Sequence, residues 1–344
     1  MQVYKEFDLS EILWYKIGGI TKYFIEATSE QDVKDAFDFI FQHNIKNYFI
    51  FGMGANLLFT DNYFDGAVIH ITSSPIQDNT SDFMFGNQHT EITTSSQSDI
   101  NVKGDCISAF AGITLDSVIQ TGFSNNLMGL EWAGGLPSTI GAAIRGNVGA
   151  FGGEIKDVTK EANLLRIIDN SYNETQVPSS NLAFSYRSSV VKKDRSLIVL
   201  SATFQLKDGT NSEIEKAKLV YNNNIFYRKQ HHPDPYTYPN TGSTFKNIKE
   251  KEDIDKILTV WPDIAHLVAT KWYGKVSVGY INNRLGFSGY HIGEAQVSPL
   301  HTNFILNRGK ATAADVEAII RTIQKKYQET FGFMPEPEVE IVHS

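Results

Sequence analysis

The chain has 344 residues, room for two or three domains each with its own core. Hydrophobic residues make up 41% of it and charged residues 20%, proportions that exclude wholesale disorder. The net charge of −8, with lysines and arginines scattered along the sequence, argues against a nucleic-acid surface and a polybasic membrane anchor, so an anionic ligand must be met by local positive groups.

The N-terminal stretch "MQVYKEFDLSEILWYKIGG" lacks a basic segment followed by an apolar one, and no stretch approaches the roughly 18 uncharged apolar residues of a membrane span. The single cysteine, Cys106, cannot form an intramolecular disulfide, and no Cys/His spacing points to a metal site. The expectation is a cytoplasmic protein without membrane insertion, metal or nucleic-acid partner. In that setting the Asn-x-Ser/Thr triplets at Asn79 and Asn173 carry no glycosylation meaning.

Residues 22–70 alternate strand and helix signals: "KYFIEA", "TSEQDVKDAFDFIFQHN", "NYFIFG" and "GAVIHI". Ser29 and Asp32 form a capping pair, and Val33, Ala36, Phe37, Ile40 and Phe41 share one helical face. Residues 73–103 are polar and aperiodic and read as a boundary with surface hairpins or an insertion. The pattern resumes at "CISAFAG" with a strand, then a helix through Leu115, Val118, Ile119 and Phe123, and strands at 162–168 and 197–206. A helix over 213–228 leads into the proline-rich "YRKQHHPDPYTYP", an extended crossing or linker. A last helix runs over about 312–331 and stops at Gly332.

Two stretches are rich in glycine. "YFIFGMGANLLFTD" puts Gly52 and Gly54 directly after an apolar strand, where backbone amides can approach an anion; it lacks the third glycine and the helix opening of a dinucleotide fingerprint. "GLEWAGGLPSTIGAAIRGNVGAFGGE" reads either as stacked turns or as a wall of main-chain groups against a large planar or phosphorylated ligand. "NTGSTFKNI", over 240–248, reads on its own as a polar turn.

Together and in order, "KIGG", "FGMGANLLFTD", the long glycine stretch, "FSYRSSV", "GSTFKN", "VSVGYINNRLGFSGYHIGEAQVSPLHTNFILN" and "PEVEIV" resemble the UDP-N-acetylenolpyruvoylglucosamine reductase family over nearly the whole chain, apart from roughly 76–103. The resemblance implies an α+β fold: a two-subdomain FAD-binding fold of the vanillyl-alcohol oxidase type plus a C-terminal α+β substrate-binding domain. It divides the chain into 1–72 with a returning tail at 332–344, 73–230, and 231–331. It implies an enzyme of peptidoglycan precursor synthesis that takes a UDP-sugar enolpyruvyl ether, with FAD and NADPH as cofactors, as a monomer. Two alternatives stay open: a flavin oxidase or dehydrogenase of another small molecule, and a non-catalytic sugar-nucleotide-binding paralogue.

Residue by residue, the resemblance puts Gly52, Gly54, Ala55, Asn56 and Leu57 on the FAD pyrophosphate. Gly134, Gly135, Pro137, Ser138, Thr139, Gly141 and Ala142 line the rest of the flavin cleft, and Arg228 approaches the flavin. Arg187 and Glu338 stabilise the enolate formed from the substrate, Ser243 delivers the proton to carbon, and Tyr186, Lys246 and Asn247 bind substrate. His301 is expected to be a hydrogen-bonded structural residue at the start of an apolar strand. Ile248 stands where the family often has proline, and His231 where some members have lysine.

Overall fold

The structure, a computed structural model, describes residues 1–60, 63–75 and 100–343. The expected insertion therefore lies largely outside the described residues. These residues cluster into two compact units. Unit 1 comprises Met1–Phe7, Thr21–Met53 and Phe64–Gln230; unit 2 comprises Asp8–Ile20, Gly54–Tyr63 and His231–Ser344.

The two larger sheets of the described residues lie in unit 1. In the four-stranded one, Ile20–Ala27 and Tyr48–Phe51 both run parallel to Phe64–Ile71, and Gln2–Asp8 takes the outer edge. Helix Glu30–Gln42 crosses between the first two parallel strands, capped by Ser29 as its sequence predicts, and buries Val33, Ala36, Phe37 and Ile40. Those four belong to one core with the second sheet, a five-stranded antiparallel one. Its order is Ser171–Pro178, Thr159–Ile168, Leu197–Gln205, Cys106–Phe110 and Ile100–Lys103.

That second sheet alternates in the way one buried face requires: Ile107, Ala109, Ala162, Leu164, Ala202 and Phe204 are buried, while Ser108, Ser201 and Thr203 between them are half-exposed. Helix Leu115–Ser124, capped by Thr114, covers the buried face with Val118, Ile119 and Phe123. The helix expected over 213–228 runs from Asn211 to His231. Its length escaped a periodicity reading because Leu219, Val220, Phe226 and Tyr227 are exposed while only Ile214, Ala217 and Tyr221 are buried.

Unit 2 has its own core around helix Ala313–Phe331, whose Val316, Ile319, Ile320, Ile323 and Tyr327 pack with Ile257, Val276, Ile281, Val297 and Ile305. A capping box between Thr312 and Asp315 starts that helix, and Gly332, at φ 80°, ends it in the left-handed conformation. Segments distant in sequence complete the unit. Leu57–Phe59 pairs in parallel with Glu340–Val342. The buried Tyr15 hydroxyl donates to the Ile305 carbonyl (2.9 Å), and the Asn307 amide donates to the Tyr15 carbonyl (3.0 Å). Among the described residues, no helix is long and apolar enough to cross a membrane.

Candidate active site

In unit 2, three of the segments singled out by sequence converge. Gly242 sits at φ 73°, and its N–H donates to Asn240 Oδ1 (2.9 Å), so a side chain closes the turn that presents Ser243. The next residue is a junction. Thr244 N–H donates to the Asn303 carbonyl (2.7 Å), and the Thr244 carbonyl accepts from the N–H groups of Glu338 (2.7 Å) and Val339 (3.3 Å). Lys246 N–H donates to the Glu336 carbonyl (3.0 Å), and the Lys246 ammonium pairs with the Glu336 carboxylate.

The tail bearing Glu338 is held on its other side by the glycine loop. Asn56 Nδ2 donates to the Glu338 carbonyl (3.0 Å), and Glu340 N–H donates to the Asn56 carbonyl (3.1 Å). Leu57 continues this contact as the first strand residue, opposite Glu340. Gly54, at φ 65°, supplies the left-handed residue just ahead of Ala55 and Asn56. Ser243, Glu338 and Asn56 thus belong to one hydrogen-bonded bracket, while the Asn247 side chain caps a neighbouring helix by accepting from Val278 N–H (3.2 Å).

His301 lies in the same unit but outside the strand expected for it, which covers Ile305–Asn307. Its Nδ1 accepts from Asn303 N–H (3.3 Å), and its ring meets His232 edge-on. Burial, helped by the nearby His231, holds the imidazole below its ordinary pKa.

Unit 1 carries the other group. Ser185 and Ser188 exchange two backbone bonds (2.9 and 3.0 Å) across Tyr186 and Arg187, and Arg187 takes φ 57°, a position that glycine fills more easily. Such a conformation costs about 1–3 kcal/mol and persists only where its surroundings enforce it. Here Asn147 Nδ2 donates to the Ser185 carbonyl (2.9 Å), and Ser189 Oγ donates to the Arg145 carbonyl (2.8 Å). Asn147, fully buried and itself left-handed at φ 42°, follows helix Ile140–Gly146 of the glycine stretch, which so fixes the arginine turn.

Arg228 is the second cation of this group. Its Nε donates to the Gly134 carbonyl (3.0 Å), and its guanidinium lies 5.2 Å from the centre of the Phe151 ring. Burial first, and the charge of Arg187 second, push its pKa down to about 10. Two like charges within reach of each other make this a region of positive potential.

The glycines divide by cause. A Cβ on Gly134 would sit 2.3 Å from the Tyr221 carbonyl, and one on Gly153 would enter the Trp132 indole at 2.3 Å, so packing alone requires both. Gly141 likewise packs against Ala111. Gly135, exposed at φ 69°, lies beside Arg228, whose Cδ a Cβ there would meet at 3.2 Å; Pro137 and Ala142 are exposed as well. A Cβ on Gly52 would meet Thr139 Oγ1 at 2.1 Å. Ser138 and Thr139 are buried, and the Ser138 carbonyl is engaged by Leu115 N–H (2.8 Å).

Among curated proteins, the chain is 31% identical over 338 residues to a UDP-N-acetylenolpyruvoylglucosamine reductase of Clostridium perfringens (strain SM101 / Type A), covering 97% of this chain and 91% of that one. A protein of the same name from Lachnoclostridium phytofermentans is 32% identical over 341 residues, again 97% and 91% of the two chains. The chain belongs to the UDP-N-acetylenolpyruvoylglucosamine reductase family. The family's C-terminal domain model matches residues 234–342. The crystal structure of the Thermus caldophilus reductase shares the fold, with a TM-score of 0.67 at 22% identity, over 99% of this chain and 98% of that one. The α+β class expected from sequence is the one found.

Reading by motif missed Asn303, Asn147 and Phe151. Asn147 does leave a trace, an asparagine directly after a short helix, where a left-handed residue is favoured. Asn303 leaves none, since its partners lie 58 positions away.

Proposed function

We propose that the protein reduces the enolpyruvyl ether of UDP-N-acetylglucosamine to UDP-N-acetylmuramate in peptidoglycan precursor synthesis, using FAD and NADPH, as a cytoplasmic monomer. Family membership supports the reaction. The single geometric observation that supports the assignment of residues is the bond from Glu338 N–H to the carbonyl directly after Ser243. We read 1–72 and 73–230 as the flavin-binding subdomains, 231–331 as the substrate domain, and 332–344 as the tail that brings Glu338 to the Ser243 loop.

The residues fit a flavin dinucleotide. Gly52 and Gly54 present main chain rather than side chain, Gly135 is exposed, and Arg228 sits in a region of excess positive charge suited to an anionic or carbonyl-bearing ligand. Gly52, Gly54, Ala55, Asn56 and Leu57 would hold the pyrophosphate; Gly134, Gly135, Pro137, Ser138, Thr139, Gly141 and Ala142 would line the cleft. FAD, when bound, supplies the hydride that NADPH provides and the substrate receives at its terminal methylene carbon.

The protein's own groups handle charge and proton. Negative charge develops on the carbon next to the methylene and on the carboxylate, and the Arg187 guanidinium lowers its energy; such a positioned donor is worth about 2.7–4 kcal/mol. Glu338 is the second group that stabilises this enolate. Ser243 Oγ gives its proton to the carbon and regains one from solvent. Tyr186, Lys246 and Asn247 bind the remainder of the UDP-sugar. The test is an anaerobic absorbance series. The purified protein should carry yellow flavin that acid releases, NADPH should bleach it, and the enolpyruvyl ether should restore it. A colourless protein, or bleaching with no recovery on adding the ether, would refute the reading.

A further inference from the structure

Phe245 is buried to 1% exposure, so both polar groups of its backbone must find partners inside the protein. One side chain supplies both. Asn303 Oδ1 accepts from Phe245 N–H (3.1 Å), and Asn303 Nδ2 donates to the Phe245 carbonyl (2.9 Å). The Asn303 backbone carbonyl accepts from Thr244 N–H (2.7 Å) as well, so three bonds from one residue, itself 4% exposed, hold the dipeptide that follows Ser243. The opposite edge of that dipeptide carries Glu338 and Val339 on the Thr244 carbonyl. Gly242, ahead of the serine, has open space where a Cβ would stand, so no packing there fixes the loop.

We infer that Asn303 is a positioning residue for the proton donor: its amide locks the backbone behind Ser243 and so sets where the serine hydroxyl points. The inference rests on the reading of Ser243 as the donor. An asparagine is suited to this because its side chain carries one acceptor and one donor with the spacing of a peptide group, which matches the N–H and C=O of a single residue. Alanine at 303 would strand both Phe245 groups in a dry environment, and the loop would relax away to satisfy them. A displacement of about 1 Å at a reacting group costs on the order of a hundredfold in rate.

The test is a double-mutant cycle on the FAD-loaded enzyme, with Asn303→Ala, Ser243→Ala and the pair, measuring flavin reduction by NADPH and re-oxidation by the enolpyruvyl ether separately. Asn303→Ala should slow re-oxidation about 10- to 100-fold while reduction stays within about threefold. In the Ser243→Ala background the same change should cost less than about threefold, since two residues acting through one hydroxyl are not additive. Amide hydrogen exchange at Thr244 and Phe245 should accelerate in Asn303→Ala and read the loop without any turnover. If Asn303→Ala fails to fold, Asn303→Asp, which keeps the shape and the acceptor but loses the donor, is judged by the same criteria. Equal losses in both half-reactions, an undiminished loss in the Ser243→Ala background, or unchanged exchange would overturn the inference. Should Ser243→Ala alone leave re-oxidation intact, the donor reading fails first and the inference falls with it; a slow Ser243→Ala with a fast Asn303→Ala refutes the inference alone.

Discussion

The two units prepare their functional groups in opposite ways. Around Ser243 nearly every backbone group named above is spoken for, by Asn240, Asn303, Glu338 and Val339, and the residues on either side of the serine are held by satisfied hydrogen bonds. Around Arg187 the chain accepts a left-handed non-glycine residue, and Arg228 stands near enough that the Arg187 charge adds to burial in lowering the Arg228 pKa. The contrast follows the chemistry assigned to each. A weak acid such as a serine hydroxyl depends on placement, whereas an oxyanion needs charge that is already assembled when it forms.

Arg187 offers the widest test of that contrast. Arg187→Ala should retain flavin and its reduction by NADPH but slow re-oxidation by about 10²–10³, and stopped-flow absorbance would measure it. Arg187→Gly should lose as much activity, yet melt at a higher temperature than Arg187→Ala, because glycine relieves the positive φ at about 1 kcal/mol. Equal melting temperatures would mean that the turn stores no strain.

Glycines give a smaller and purely structural effect. Gly52→Ala should destabilise by about 1–3 kcal/mol through collision with Thr139 Oγ1 at 2.1 Å, and the further change Thr139→Ala should recover much of it. Gly242→Ala meets open space and should cost only the backbone term of about 1 kcal/mol. Denaturant unfolding of the three variants would rank them, and a larger loss at Gly242 would reverse the assignment of crowding to one loop and backbone angle to the other.

Acid should act on the bracket most gently. The folded pKa of His301 is lowered, so the unfolded chain binds the proton more readily, and stability falls as pH drops through the unfolded value of about 6.5. Protonation also removes the acceptor that Asn303 N–H uses. His301→Gln should flatten the decline of melting temperature between about pH 7 and pH 5. An unchanged slope would assign the acid sensitivity elsewhere.

What was legible in the sequence was local. Ser29 with Asp32 announced one helix, and Gly332 the end of another, because caps are written within four residues. The motifs around Arg187, Ser243 and Glu338 were legible as a resemblance, without geometry. Bonds that close over long separations were not: Asn56 to Glu338 spans 282 positions, and Asn307 to Tyr15 spans 292. The glycine stretch was half legible, since density in glycine does not distinguish Gly153, crowded by Trp132, from Gly135, set by its positive φ. The apolar "FILN" so close behind His301 points to a strand there, but a turn from Ser298 to Phe304 precedes it, closed by Ser298 N–H on the Phe304 carbonyl (2.8 Å).

The most direct measurement is rapid-mixing absorbance of Ser243→Ala, which removes one hydroxyl and leaves the bracket's backbone bonds in place. Bleaching of the flavin by NADPH should remain within a few-fold of the parent protein, and its recovery on adding the enolpyruvyl ether should slow by about a hundredfold or more, the weight of a general acid. Recovery at the parent rate would contradict the assignment of Ser243 as the proton donor, and equal slowing of both phases would make the serine a structural residue only.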